Sequence, residues 1–228
     1  MNNIGQPERA TQNRVLALFR DELGYRSLGD WTHRAGNSNI EEALLTAYLA
    51  KSGYGAAHIA KALYELRTEA GNPNRTLYEN NKRVYSLLHH GVPVKTEAGE
   101  KTATVCLIDW AQPEQNDFAI AEEVTLKGNH ERRPDLVVYV NGIGVGVVEL
   151  KNSRVSIGDG IRQLISNQRD EFHAWFFCTV AKNHSLNSGN WFDSSCRMPS
   201  PIETRLFFSS ITPIARPFTY STRSGRRS

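Results

Sequence analysis

The chain has 228 residues, of which 39% are hydrophobic and 22% are charged, and its formal net charge is +3. These values are typical of a globular protein. No apolar run approaches the roughly 20 residues of a membrane span, and the N-terminus lacks the apolar core of a signal peptide, so we expect a cytoplasmic protein with no membrane partner.

Helices are predicted throughout the N-terminal part, residues 1–95. The first begins at Pro7, which suits a first helical turn, carries an apolar stripe and ends at Gly24. The second begins at Asn39, where Glu42 three residues later completes a capping-box pattern, and ends at Gly53. The third and fourth helices are predicted at 56–70 and 75–89.

The pattern changes to short β-branched segments in residues 100–180. Strands are predicted at 104–108, 118–124, 136–140 and 145–150. A helix at 158–172 and a final apolar strand at 174–180 follow. The order β-β-β-β-α-β predicts a mixed α/β core with a central sheet, and the helical N-terminal half packs beside it.

The segment 181–228 has a different composition, with ten serines and four prolines and no sustained periodicity. It holds seven basic and two acidic residues, a net +5, which leaves −2 for residues 1–180. We therefore divide the chain into a folded domain, 1–180, and an irregular Ser/Arg-rich tail, 181–228. Any DNA affinity of the folded part must come from local patches or from partner subunits.

The most informative stretch lies between Arg133 and Asn152. Asn141-Gly142 between two Val-rich runs predicts a β-hairpin, so Asp135 on the first strand should lie near Glu149 on the second. Lys151 lies two residues after Glu149 and so shares its strand face. Two carboxylates and an ammonium could hold a divalent cation against a phosphodiester and activate a water.

Charged residues on a strand are more often only solvated, and this combination also arises by chance. The runs around Asp135 and Glu149 are nearly all Val, Leu, Ile or Gly, as in strands buried on both faces. A group of charges is costly in such a place unless it has a role. The context therefore favours a nuclease site.

Other parts of the chain carry weaker signals. The helix at 158–172 places Gln163 and Asn167 on one face, and with Arg162 they could overlook the carboxylates and contact DNA. Glu8 is by itself only a first-turn acidic residue. The three cysteines and the histidines lack metal-site spacing, and no phosphate-binding loop indicates an ATP site.

Taken together, these features resemble the N-terminal nuclease domain of the restriction (motor-nuclease) subunit of type I restriction–modification systems. The likeness covers residues 1 to about 180. It includes the helix that follows the hairpin, with Gln163, and these segments: Pro7-Glu8-Arg9-Ala10-Thr11-Gln12, Glu22-Leu23-Gly24-Tyr25, Leu107-Ile108-Asp109-Trp110, Asn116-Asp117-Phe118, Arg133-Pro134-Asp135, Asn141-Gly142 and Glu149-Leu150-Lys151-Asn152.

The resemblance implies a restriction-endonuclease-like PD-(D/E)xK core that cleaves double-stranded DNA. It implies that Asp135 and Glu149 bind Mg²⁺, that Glu8 is a supporting carboxylate and that Lys151 orients or activates the water. Gln163 then belongs to a glutamine motif that the family completes with a tyrosine four residues later, where this chain has Asn167. The implied partners are the methylase and specificity subunits of a restriction–modification complex.

Family members continue into helicase-like motor domains that use ATP, and no such sequence is present here. They also continue in regular sequence after the strand at 174–180, which leads us to expect a truncation or frameshift near residue 180. Two other functions stay open: a non-catalytic remnant that only docks onto a restriction complex, and a plain DNA-binding protein, which the −2 charge of residues 1–180 disfavours.

Overall fold

Helices and strands alternate irregularly along the chain. The computed structural model describes residues 6–35, 38–97, 99, 101–127, 131–151, 162, 166, 174–180 and 182–187. The helices are α1 (Gln6–Ala17), α2 (Glu42–Lys51), α3 (Ala56–Ala70), α4 (Leu77–His90) and α5 (Ala174–Phe177). The strands are β1 (Arg26–Asp30), β2 (Val92–Val94), β3 (Ala103–Val105), β4 (Phe118–Glu122), β5 (Leu136–Val140), β6 (Ile143–Lys151) and β7 (Lys182–Asn187).

The main sheet has five strands in the order β1-β4-β5-β6-β7. Its three central strands are antiparallel neighbours, whereas β1 runs parallel to β4 and β7 runs parallel to β6. The sheet is therefore mixed, as predicted. Strands β2 and β3 form a separate antiparallel pair.

Apolar residues cover both faces of this sheet. On one face Leu136 and Val138 of β5 belong to a core that includes Leu49 of α2, Leu66 of α3 and Leu88 of α4. On the other face Val137 and Tyr139 belong to a second core with Val147 and the phenylalanines of α5. Burial on both faces explains why the central strands are continuous apolar runs rather than alternating ones.

Several predicted elements are confirmed. Helix α3 and strand β5 have the predicted bounds. Helix α4 begins two residues later than predicted, because Thr76 caps it in a capping box with Glu79. Helix α1 continues through a π-helical turn at Leu18–Glu22 and stops just before Gly24, which has a left-handed φ of 72°. None of the helices in the described ranges has the length and hydropathy that a membrane crossing needs.

The predicted capping box at Asn39 is wrong. The N-cap of α2 is Glu41, without a side-chain cap. The Asn39 amide lies 3.1–3.2 Å from Phe176 O, Cys178 Sγ and Thr179 Oγ1. Asn39 thus ties the start of α2 to α5 and to the residues just after it. The amide and its partners are all buried, so they satisfy one another's hydrogen bonds.

The predicted strand at 174–180 is also wrong, since residues 174–177 form helix α5. A short apolar run suits a buried helix as well as a strand. The edge strand next to β6 is β7, and it lies inside the segment predicted to be irregular. Strands β1 and β2 were not predicted, because β1 has no β-branched residue and β2 contains a proline. Most of the predicted helix at 158–172 lies outside the described residues.

Candidate active site

The site is built on the hairpin of β5 and β6. Val140 pairs with Ile143, so the loop is the two residues Asn141 and Gly142. Their φ angles are 53° and 84°, the values of a type I′ turn, which matches the right-handed twist of the strands. The predicted Asn-Gly hairpin is confirmed.

A β-bulge interrupts the hairpin soon after the turn. Tyr139 pairs with Gly144, but its neighbour Val138 pairs with Gly146, so Val145 is an extra residue on β6. One extra residue changes which side chains of the two strands face each other from that point outward. The sequence gives no clear signal for this bulge beyond the glycines on either side of Val145.

The bulge sets the position of the two predicted carboxylates. In a regular hairpin with this turn, Asp135 would lie opposite Val148, and Glu149 would be on the other face. In the structure the last pair at this end is Leu136 with Val148, and Asp135 and Glu149 are the next residue of each chain segment beyond that pair. The bulge therefore shifts the register by one residue, so that position 135 is aligned with position 149 rather than with Val148.

Hydrogen bonding confirms that Asp135 lies against β6. Its Oδ2 accepts the backbone N–H of Leu150 at 2.6 Å. A carboxylate offers about four acceptor positions, so this bond is compatible with coordination of a cation by the same group.

Glu149 is almost completely buried, with 1% of the residue exposed. Burying a carboxylate is costly unless it is paired with a positive group or coordinates a metal. The hairpin therefore holds a buried carboxylate at the residue before Leu150, whose backbone N–H bonds to Asp135.

The other predicted site residues are placed less completely. Glu8 lies in the first turn of α1 and Lys151 is the last residue of β6, but their side chains lie outside what the structure describes. Arg162 is helical and exposed. Gln163 and Asn167 lie outside the described residues, so their roles remain predictions.

Helix α1 lies next to the carboxylates. It packs against β6, and Thr11 and Gln12 are each 4% exposed. The Gln12 Nε2 donates to the backbone O of Asp135 at 3.4 Å and to Glu123 Oε1 at 3.2 Å. The early helix and the hairpin are therefore joined at Asp135.

A group of ion pairs surrounds this contact, and we call Arg9, Glu122, Glu123 and Arg133 the ion-pair cluster. Arg9 lies 3.1 Å from Glu122 and 3.7 Å from Glu123, and Arg133 lies 3.0 Å from Glu123. Nearby, hydrogen bonds from Thr32 lower the pKa of Asp30, and the charges of Arg9 and Arg133 lower it further. The sequence prediction gave Arg9 and Arg133 no role of their own and did not single out Glu122 or Glu123, although two adjacent glutamates at the end of an apolar strand were a signal.

The fit of a metal ion rests on Asp135 and Glu149. Within the described ranges no group of three or more His, Cys, Asp and Glu side chains lies close enough to hold a metal. Mg²⁺ is often bound through one or two carboxylates, with waters and substrate phosphates completing its six positions. The two carboxylates at this end of the hairpin therefore suit Mg²⁺ better than a cation that needs a full cage of protein ligands.

Comparison with known proteins gives the family. Residues 5–192 match the family described as type I restriction enzyme R protein N terminus. The chain belongs to this family. The match extends past residue 180 and includes β7, so the family-like part of the chain is longer than the sequence resemblance indicated.

Two relatives in Methanocaldococcus jannaschii support the assignment to the R-protein family. The putative type I restriction enzyme MjaIXP endonuclease subunit is 34% identical over 102 residues, 42% of this chain and 10% of the relative. The putative type I restriction enzyme MjaVIIIP endonuclease subunit is 24% identical over 181 residues, 75% of this chain and 17% of the relative. The chain thus matches less than a fifth of the length of either relative.

Proposed function

We propose that this N-terminal region of a type I restriction enzyme R subunit is a Mg²⁺-dependent endonuclease domain that hydrolyses phosphodiester bonds of double-stranded DNA. The proposal includes a restriction-endonuclease-like PD-(D/E)xK core. The observation that supports it is the bulge at Val145, which shifts the register so that Asp135 and the buried Glu149 are the next residues beyond the pair of Leu136 and Val148. The relatives' description as endonuclease subunits agrees with it.

Each residue has a distinct role in this proposal. Asp135 and Glu149 hold the cation, and Glu8 in the first turn of α1 supports them. When bound, Mg²⁺ polarises the phosphate and stabilises the charge that develops on it. Lys151 orients the attacking water or helps to deprotonate it, and Asp135 stays in place through its bond to the Leu150 N–H.

The proposed substrate and partners follow from the family. Arg162, Gln163 and Asn167 contact the DNA next to the scissile phosphate. The methylase and specificity subunits supply recognition of the DNA sequence, and the motor region of a full-length R subunit positions the DNA. The isolated chain is therefore expected to cleave more slowly than a complete restriction complex.

The test is plasmid nicking in Mg²⁺ by the parent chain and by Asp135→Ala, Glu149→Gln and Lys151→Ala. Each change should lower the nicking rate about 100-fold or more, because it removes a charge that acts on the transition state. Glu42→Gln is the matched control, since Glu42 is an exposed residue that pairs with Arg67 on α3. It should nick at the parent rate.

Two outcomes contradict the proposal. Equal nicking by all variants would mean that these side chains are not catalytic. If the parent neither nicks DNA nor binds Mn²⁺ in a calorimetric titration, the chain is instead a module that only docks onto a restriction complex.

A further inference from the structure

Asp135 is held through both its backbone carbonyl and its side-chain carboxylate. Its carbonyl accepts the N–H of Glu123 at 2.9 Å and the Gln12 amide at 3.4 Å, while its Oδ2 accepts the N–H of Leu150 at 2.6 Å. Three groups from three parts of the chain thus fix one residue. Such control of position is what a metal ligand needs, because coordination tolerates only small displacements.

Gln12 is the connection between α1 and this segment. Its amide is buried, and Nε2 is shared between Asp135 O and Glu123 Oε1. Its own Oε1 accepts a hydrogen bond from Arg9 at 3.0 Å. The Gln12 amide therefore uses both its oxygen and its nitrogen. Only one orientation of the amide satisfies all three hydrogen bonds.

Glu123 has an uncommon backbone conformation, with a φ of 51°. A non-glycine residue adopts this left-handed conformation at a cost in free energy, so the surrounding contacts must hold it there. Those contacts are Gln12 and Arg133 on its carboxylate and the Asp135 carbonyl on its N–H. Arg133 and Asp135 are two residues apart in the chain. Glu123 therefore contacts the segment that carries the Asp135 carboxylate at two points, through its own carboxylate and through its backbone N–H.

The charges of the ion-pair cluster balance. Two arginines, Arg9 and Arg133, face two glutamates, Glu122 and Glu123. Balanced charges do not attract a phosphate strongly, which argues against the cluster as a separate anion site. The arrangement is better suited to holding the adjoining backbone in place.

We propose that Gln12 and Glu123 are positioning residues that fix Asp135 against β6, so that helix α1 is a working part of the metal site. The inference rests on the proposed function, since it assigns these residues to the same cation. They act through the backbone of Asp135 rather than by touching the metal. Residues that orient metal ligands typically change metal affinity by about 10- to 100-fold when they are removed.

The experiment is a calorimetric titration of the whole chain with Mn²⁺, which reports on the site without any need for cleavage. Gln12→Met keeps the volume and removes the hydrogen bonds, while Glu123→Ala removes the carboxylate. Both should weaken Mn²⁺ binding about 10-fold or more. Glu123→Gln should restore part of the affinity, because its amide oxygen still accepts from Gln12.

Controls separate positioning from a general loss of stability. Asp117→Asn removes a distant ion pair, Arg26 with Asp117. It should lower the melting temperature without changing Mn²⁺ affinity. All titrations are made well below the melting temperature of each variant. Glu123→Gln and Gln12→Met keep side-chain size, so they provide the test if Glu123→Ala does not fold.

The outcomes separate the positioning role of Gln12 and Glu123 from the proposed function. If the parent binds Mn²⁺ and Asp135→Ala abolishes binding, but Gln12→Met and Glu123→Gln bind as the parent does, the positioning role is wrong and the proposed function survives. If the parent does not bind Mn²⁺, both fail. Weaker binding by these two variants, with Asp117→Asn unchanged, supports the inference.

Discussion

At the scale of single residues, Glu149 and Gly142 show how closely this hairpin is constrained. Glu149 is a carboxylate buried among apolar neighbours of β6, and only a partner or a ligand makes such burial tolerable. Gly142 combines a left-handed φ with close contact to α2, which leaves no room for a side chain. The sequence predicted both residues as important because Asn-Gly and Glu-x-Lys are short patterns with local causes.

Gly142→Ala should destabilise the protein for two reasons. The φ of 84° is unfavourable for alanine, and an added Cβ would lie 2.8 Å from the backbone O of Glu41. We expect a loss of about 2–4 kcal/mol in the free energy of unfolding. Urea denaturation measures it.

Gly53→Ala is the control for Gly142→Ala. Gly53 has a similar φ of 88°, but no atom lies within 4 Å of an added Cβ. It should cost only about 1–2 kcal/mol, the backbone contribution. Equal losses for the two variants would show that the contact between the turn and α2 is unimportant.

At the scale of elements, the bulge at Val145 sets the register of the strands at the proposed site. The sequence predicted that Asp135 and Glu149 meet, but a regular hairpin with an Asn-Gly turn would have kept them on opposite faces. The pair therefore stays a prediction, and the sequence does not account for the register shift on which it depends. A bulge depends on packing at one position. Because Val145 is a valine like several of its neighbours in β6, its sequence does not mark it as the extra residue.

Deletion of Val145 tests this directly. Without the extra residue the hairpin should pair regularly, Asp135 should face Val148, and plasmid nicking and Mn²⁺ binding should both be lost. Val145→Ala keeps the residue count and loses about 2 kcal/mol of burial. It should retain nicking below its melting temperature. A deletion variant that still binds Mn²⁺ like the parent would refute the role of the bulge.

The capping box of α4 gives a second prediction for an element. The Thr76 hydroxyl accepts the N–H of Glu79 at 3.3 Å and donates to Glu79 Oε2 at 2.9 Å. Thr76→Ala should therefore lower the free energy of unfolding by about 1 kcal/mol. Thr68→Ala, an exposed threonine inside α3, should be neutral or slightly stabilising, because alanine favours a helix interior.

The effect of Thr76→Ala should depend on pH. Hydrogen bonds from the Thr76 backbone N–H and then from its hydroxyl lower the pKa of Glu79 below its ordinary 4.5. A carboxylate whose pKa falls on folding stabilises the protein above its unfolded pKa, and the effect is lost as pH falls through the folded pKa. The difference between the parent and Thr76→Ala should therefore be larger at pH 7 than at pH 3. An unchanged difference would mean that ionised Glu79 does not strengthen the cap.

At the scale of the whole molecule, the sequence predicted the central strands of the sheet better than its edge strands. The central strands β4, β5 and β6 are buried on both faces, and their apolar runs made them visible. The edge strands β1 and β7 pair with segments far away in the chain, and that pairing leaves no local pattern. Helix α1 likewise reaches Asp135 only through tertiary packing, so the Gln12 contact was not predictable.

The central claim is that Asp135 and Glu149 share one divalent cation, and the most direct measurement is anomalous diffraction from a crystal soaked in Mn²⁺. The expected result is a single anomalous peak in direct contact with carboxylate oxygens of both residues, absent in Glu149→Gln. A peak bound to only one of them, or no peak at this end of the β5–β6 hairpin, would contradict the claim.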